Sequence, residues 1–147
     1  MSRGKVFRAG ALVSVGAVLL LTAAGAAGAL RPGEYEMTTQ ASIVGMDHPM
    51  APKTSRHCIT AEDVKDSQRM ATRGNEGCQV VDVKTTANRL SWTATCPQYK
   101  SKGTGEIVYD GTDGYEMTMK MDAEGGPHGA MKMVFHTKAK RVGECAK

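Results

Sequence analysis

The strongest constraint on the fold is a strict alternation of apolar and polar residues over residues 115–121. The four odd-numbered positions hold tyrosine and methionine, and the three even-numbered positions hold glutamate, threonine and lysine. Alternation with a period of two places the two sets on opposite faces of a β-strand. The stretch therefore predicts a half-buried strand whose methionine side must be covered by other parts of the chain.

Residues 34–44 alternate in the same way. Weaker patterns predict strands over residues 53–59, 79–85, 90–96, 104–109, 131–135 and 141–145. Thr60 and Asp63 form a capping-box pattern, which predicts one short helix that runs to about Thr72. Short connections between strands favour antiparallel neighbours. Together these patterns predict a mainly β fold: a curled antiparallel meander of about eight strands, shaped like a barrel or half-barrel, with one helix.

The core is predicted from apolar residues that share one parity along these strands. Aromatic residues make up only 5% of the chain, so methionine must fill much of the interior, and its flexible side chain packs adaptably. The predicted core residues are Tyr35, Met37, Ile43, Val81, Val83, Leu90, Trp92, Ile107, Tyr109, Tyr115, Met117, Met119, Met121, Met131, Met133 and Phe135.

The first 29 residues have the order of a secretory signal peptide. Three basic residues precede an apolar run, and small residues follow that run as far as Ala29. The run is short for a membrane span, and residue 30 is leucine, so no cysteine is available for a lipoprotein anchor. We expect cleavage after Ala29, a single mature domain over residues 30–147 without a membrane anchor, and a periplasmic or secreted location.

Charge argues against a nucleic-acid partner. Three of the 19 basic residues lie in the predicted signal peptide, which leaves 16 basic against 15 acidic residues in the mature chain. A nearly neutral domain has no basic field that would attract nucleic acid. We therefore expect no nucleic-acid binding.

Four cysteines, at positions 58, 78, 96 and 145, predict two disulfides because an exported chain with an even number of cysteines usually oxidises them. The hairpin that follows Cys78 discriminates among the three pairings. A two-residue turn at residues 87–88 sets Val81 opposite Ala94 and collects the apolar residues on one face. In that register Cys96 shares the apolar face and Cys78 points away from it. The register therefore argues against Cys78–Cys96 and leaves two pairings. A Cys58–Cys78 bridge would clamp the helical segment at its base, so the predicted pairs are Cys58–Cys78 and Cys96–Cys145.

Several short motifs occur in a fixed order along the mature chain. They are Leu30-Arg31-Pro32-Gly33-Glu34-Tyr35-Glu36, Cys58-Ile59-Thr60, Glu62-Asp63, Gly77-Cys78, Trp92, Cys96, Gly103-Thr104-Gly105-Glu106, Tyr109 and Lys140-Arg141-Val142-Gly143-Glu144-Cys145. This order resembles the "domain of unknown function 3617" family of small exported bacterial proteins, over essentially the whole mature chain. The family brings no established activity, cofactor or catalytic residue, so the resemblance implies none.

Known catalytic motifs are missing from the sequence. It contains no G-x-S-x-G, H-E-x-x-H or glycine-rich phosphate loop, and oxidised cysteines cannot act as nucleophiles. We expect no enzymatic activity and no cofactor. A pliable methionine-lined sheet can admit an apolar ligand, so we expect a domain that binds an apolar small molecule or an envelope protein.

The alternative function is copper binding in the exported compartment. Met46, His48 and Met50 place two thioethers and an imidazole within one loop, and thioethers are soft ligands that suit Cu(I). The methionines of residues 115–121 are also spaced as a ligand ladder, but their shared parity with Tyr115 favours a place in the core.

Overall fold

The computed structural model of the chain describes residues 30–126 and 129–146. The predicted signal peptide, residues 1–29, and His128 lie outside the described residues. The strands are β1 (Gly33–Ile43), β2 (Lys53–Ile59), β3 (Gln79–Thr85), β4 (Arg89–Cys96), β5 (Ser101–Asp110), β6 (Gly114–Gly126) and β7 (Gly129–Gly143). The helices are α1 (Ala61–Lys65) and α2 (Ser67–Thr72), and a 3₁₀ turn spans Pro97–Tyr99.

All seven strands form one antiparallel sheet in the order β2-β1-β7-β6-β5-β4-β3. The mainly β prediction is confirmed, and β3 to β7 form the expected meander. The sheet is open, however, with β2 and β3 at its two edges, and not a closed barrel. It does not need to close because the helices bury part of its apolar face. The predicted eighth strand over residues 141–145 is wrong, since β7 continues along β1 as far as Gly143.

The predicted capping box is present at the start of α1. The Thr60 hydroxyl accepts a hydrogen bond from the Asp63 backbone N–H, and the Asp63 carboxylate accepts one from the Thr60 backbone N–H. The single predicted helix is divided in two at Asp66, whose carboxylate accepts hydrogen bonds from the Gln68 and Arg69 backbone N–H groups. Asp66 therefore ends α1 and caps α2, because an aspartate satisfies a helix N-terminus better than it continues a helix.

The core lies between the helices and one end of the sheet's apolar face. Its buried residues are Leu30, Tyr35, Ile59, Met70, Ala71, Leu90, Trp92, Ala94, Ile107, Tyr115 and Ala139. Five predicted core residues belong to this set, and five more, Met37, Val83, Tyr109, Met117 and Met119, are half-buried against it. Ile43, Met121, Met131, Met133 and Phe135 are half-buried and lie outside the cluster.

One predicted core residue, Val81, is wrong: its side chain is 50% exposed. The β3–β4 register explains the error. Thr85 lies opposite Leu90 as expected, but a bulge at Asp82, whose φ is +55°, shifts the pairing, so that Val80 and not Val81 lies opposite Ala94. One extra residue in a strand reverses the parity of everything beyond it.

The same bulge overturns the predicted disulfide pairing. All four cysteines form disulfides, as predicted, but the pairs are Cys58–Cys145 and Cys78–Cys96. Since Gln79 pairs with Thr95, the shifted register carries Cys78 to a position opposite Cys96. The other bond joins edge strand β2 to the C-terminal segment beyond β7. It links the strands on either side of β1, next to the start of β1.

The helices are too short to cover the whole apolar face. The six residues of α2 give a rod of about 9 Å, whereas the 15 residues of β7 extend over about 50 Å. Because the helices pack where Tyr35, Tyr115 and Leu90 are buried, the opposite end of the face is left without a covering element among the described residues.

Candidate functional site

The apolar face beyond the helices is formed by six half-buried side chains on three neighbouring strands, of which Met119 borders the buried core. They are Ile43, Met119, Met121, Met131, Met133 and Phe135, which together we call the methionine face. The strand register places them side by side: Met119 lies opposite Phe135, and Met133 lies between Met121 and Ile43. Cross-strand neighbours on one face are in contact distance, so these side chains form a continuous apolar surface.

Two glycines of β5 shape the border of this surface. A Cβ atom at Gly105 would overlap the ring of Trp92, and a Cβ atom at Gly103 would collide with the Lys120 carbonyl and crowd the sulfur of Met121. The glycines therefore leave space in which the large side chains of the neighbouring strands lie flat on the sheet. Trp92 is only 3% exposed.

A cavity lies where the loop after β1 meets the methionine face. Its volume is about 540 Å³, and it is lined by Ile43, Val44, Met46, Ala130, Met131 and Lys132. Backbone hydrogen bonds hold the loop in place: the Val44 N–H donates to the Lys132 carbonyl at 2.9 Å, and the Met46 N–H to the Ile43 carbonyl at 3.1 Å. Val44 and Met46 are nonetheless 62% and 63% exposed. The cavity therefore has apolar walls that face solvent.

The methionine face itself carries no ionisable group. The nearest charge in the cavity is Lys132, whose ammonium lies 4.0 Å from the Asp122 carboxylate. The phenol of Tyr115, at the covered end, donates to the Met37 sulfur at 3.0 Å, and burial raises the pKa of Tyr115 to about 12. The Tyr115 phenol is therefore neutral at ordinary pH, so the covered end of the apolar face carries no charge there either.

A buried carboxylate in α1 links the two helices. Asp63 is buried and contacts the guanidinium groups of Arg69 and Arg73. Burial acts to raise the pKa of Asp63, but hydrogen bonds from Thr60 and the nearby arginines outweigh it and hold the pKa below its ordinary value. These contacts join α1 to α2, so we assign them to stability.

The sequence model of the family described as "Protein of unknown function (DUF3617)" matches residues 30–145. The chain belongs to this family. No curated protein and no solved structure matches the chain. Membership in DUF3617 therefore brings no assigned activity.

The opposite face of this DUF3617 domain is polar. A groove of about 760 Å³ runs across β3 to β7 and includes Lys84, Glu106, Lys120 and His136 among its lining residues. Its acidic and basic groups are interspersed, and the Glu106 carboxylate bonds to Arg89 at 2.6 Å. Mixed and paired charges of this kind are typical of a solvated sheet face, so we do not assign the site to it.

The predicted metal loop is only partly brought to the site. Met46, His48 and Met50 are all exposed, but only Met46 lines the cavity. The Met50 N–H instead donates to the Ala41 carbonyl at 2.8 Å. Among the described residues no group of three histidine, cysteine, aspartate or glutamate side chains is placed to hold a metal ion. No helix in the described part of the chain is long and apolar enough to cross a membrane.

Sequence reasoning identified the residues of the methionine face and assigned them to the core; Met119 packs against the core cluster, and the other five lie outside it. It missed Val44 and Ala130 as cavity residues. The predicted element lengths already indicated an uncovered surface, because a helical segment of about a dozen residues between Thr60 and Thr72 cannot cover strands as long as those predicted here.

Proposed function

We propose that this chain is an exported, non-enzymatic binding domain that holds an apolar ligand, such as a lipid acyl chain, on its methionine face. The observation that supports the proposal is the continuous surface of six partly exposed apolar side chains, which ends in a cavity with apolar walls. Soluble proteins rarely leave a contiguous apolar surface open to water unless it binds something.

The concave end of the surface favours a small molecule over an envelope protein as the occupant. A volume of about 540 Å³ is within the range of small-molecule sites. Methionine side chains adapt to flexible ligands because they are unbranched and polarisable. An envelope protein is the other occupant that the surface could accept.

Export is the second part of the proposal. Two disulfides agree with an oxidising compartment, and the basic, apolar and small-residue order of the first 29 residues supports a cleaved signal peptide. The mature protein should begin at Leu30 and be found in the periplasm or the medium. N-terminal sequencing of the natural product tests this, and a membrane-bound product that keeps Met1 would contradict it.

Binding can be tested with cis-parinaric acid, a fluorescent fatty acid, added to protein from which bound lipid has been extracted. Met133→Asp places a charge on the methionine face and should weaken binding at least tenfold. Val134→Asp is the matched control, because Val134 is the next residue, is also half-buried, and lies on the polar face opposite Lys120. It should change the affinity less than twofold.

Two results would contradict the proposal: wild-type protein that binds no fatty acid, or two variants that bind equally well. The emission of Trp92 shows in each case that the variant is folded. Recovery of the fatty acid chemically unchanged after incubation is expected of a non-enzymatic domain, and a reaction product would overturn that part of the proposal.

A further inference from the structure

Three methionines lie at the open end of the methionine face, and a fourth lies on the loop beside it. Met121 and Met133 are directly opposite each other on β6 and β7. Met131 is the next residue along the same face of β7, and Met46 lines the same cavity as Met131. The fold therefore brings one loop methionine to three strand methionines that are up to 87 positions away in the sequence.

Opposed residues in antiparallel strands have Cβ atoms roughly 5 Å apart, and methionine has three rotatable bonds, so its sulfur can reach a point shared with a neighbour. Thioether sulfur is a soft, neutral donor that selects Cu(I). We propose that the sulfurs of Met46, Met121, Met131 and Met133 form a binding site for a soft monovalent cation, Cu(I) or Ag(I).

Neutral ligands suit a single positive charge because no ligand has to lose a proton when the ion binds. Lys132 also lines the cavity, and its positively charged ammonium would repel a bound cation. The Asp122 carboxylate, 4.0 Å from this ammonium, offsets its charge. Hard divalent ions would find no oxygen or imidazole among the four ligands, which gives the site its selectivity.

This site differs from the one that the sequence pattern of the loop predicts. It keeps Met46 but replaces His48 and Met50 by methionines of the sheet. It also does not rest on the binding of an apolar ligand. Methionine and leucine are similar in volume and polarity, so a Met→Leu exchange removes the sulfur and preserves the apolar surface. The two proposals can therefore fail independently.

The test is a titration of the mature, disulfide-bonded protein with Ag(I), which needs no reductant, and with Cu(I) in acetonitrile against a chromogenic chelator. Wild-type protein should bind one ion. Met131→Leu and Met133→Leu should each lower the affinity at least tenfold. Met70→Leu, at a buried methionine of α2, and Met50→Leu are the controls and should leave the affinity unchanged.

X-ray absorption of the Cu(I) complex should show coordination by sulfur alone. The proposal is overturned if wild-type protein fails to compete with the chelator, or if Met131→Leu and Met133→Leu bind as tightly as wild type. It is also overturned if His48→Ala abolishes binding, since that result moves the site to the loop.

Discussion

Gly105→Ala tests whether Trp92 lies flat on the sheet. Gly105 is opposite Trp92 in the β4–β5 ladder, and a Cβ atom added there would overlap the indole ring. The ring has little freedom to move away, because Trp92 is only 3% exposed and is covered on its other side. Its Nε1–H is buried without a hydrogen-bond partner among the described residues, so apolar packing alone holds the ring.

The expected cost follows from two opposing effects. Forcing one methyl group into a filled core destabilises a protein by about 1–3 kcal/mol, and the tight fit of Trp92 places this case in the upper half of that range. Alanine restricts the unfolded chain more than glycine does, which returns about 0.4–1 kcal/mol. The net loss in unfolding free energy should be about 2 kcal/mol. For a domain of this size that corresponds to roughly 8 °C in Tm.

Urea unfolding followed by tryptophan emission measures this directly, because Trp92 is the single tryptophan of the chain. The emission of the folded variant should also shift to the red as the ring is displaced. Gly143→Ala is the matched control: Gly143 also lies in a strand, and a Cβ atom there meets nothing within 4 Å. If Gly105→Ala is as stable as Gly143→Ala and its emission is unchanged, the placement of Trp92 is wrong.

Three further predictions concern ionisation and covalent structure. Asp63→Asn should cost about 1–2 kcal/mol at neutral pH, because it weakens a helix cap and the ion pairs of a buried carboxylate with two partly exposed arginines. Because the folded pKa of Asp63 is lowered, its contribution to stability is complete above about pH 4 and is lost as the pH falls through the folded pKa. Urea unfolding between pH 2 and 7 checks this. A variant as sensitive to acid as the wild type would refute it. Burial raises the pKa values of Tyr35 and Tyr115 to about 12, so their contribution is complete below pH 10 and declines as the pH rises toward 12. Burial also raises the pKa of Tyr109, so ultraviolet titration should show that Tyr35, Tyr109 and Tyr115 ionise late, and ionisation of every tyrosine near pH 10 in the folded protein would contradict this. Non-reducing proteolysis with mass spectrometry should yield a linked peptide pair that contains Cys78 and Cys96, and a peptide linking Cys78 to another cysteine would disprove the β3–β4 register.

The features that could be predicted from the sequence are those that depend on neighbours along the chain. Parity alone assigned Met119, Met121 and Met133 to one face, because side chains alternate in any β-strand. The Thr60–Asp63 cap was also predictable, since both partners lie within one helical turn. These local rules required no knowledge of what packs on the other side.

The disulfide pairing could not be predicted, because it depends on one bulged residue. Asp82 adopts a positive φ, which aspartate tolerates better than most residues, but nothing else in its surroundings marks a bulge. The exposure of the methionine face was also out of reach. Alternation shows which side of a strand is apolar, whereas burial of that side depends on where α1 and α2 are placed.

The most direct test of the central claim is an NMR titration of protein whose methionine methyl groups carry ¹³C, with palmitate as the ligand. The resonances of Met121, Met131 and Met133 should shift on binding, because they form the open face. The resonance of Met70, buried between the helices and the sheet, should stay in place. Shifts at Met70 without shifts at the other three, or no shift at any methionine at saturating palmitate, would contradict the assignment of the methionine face as the binding site.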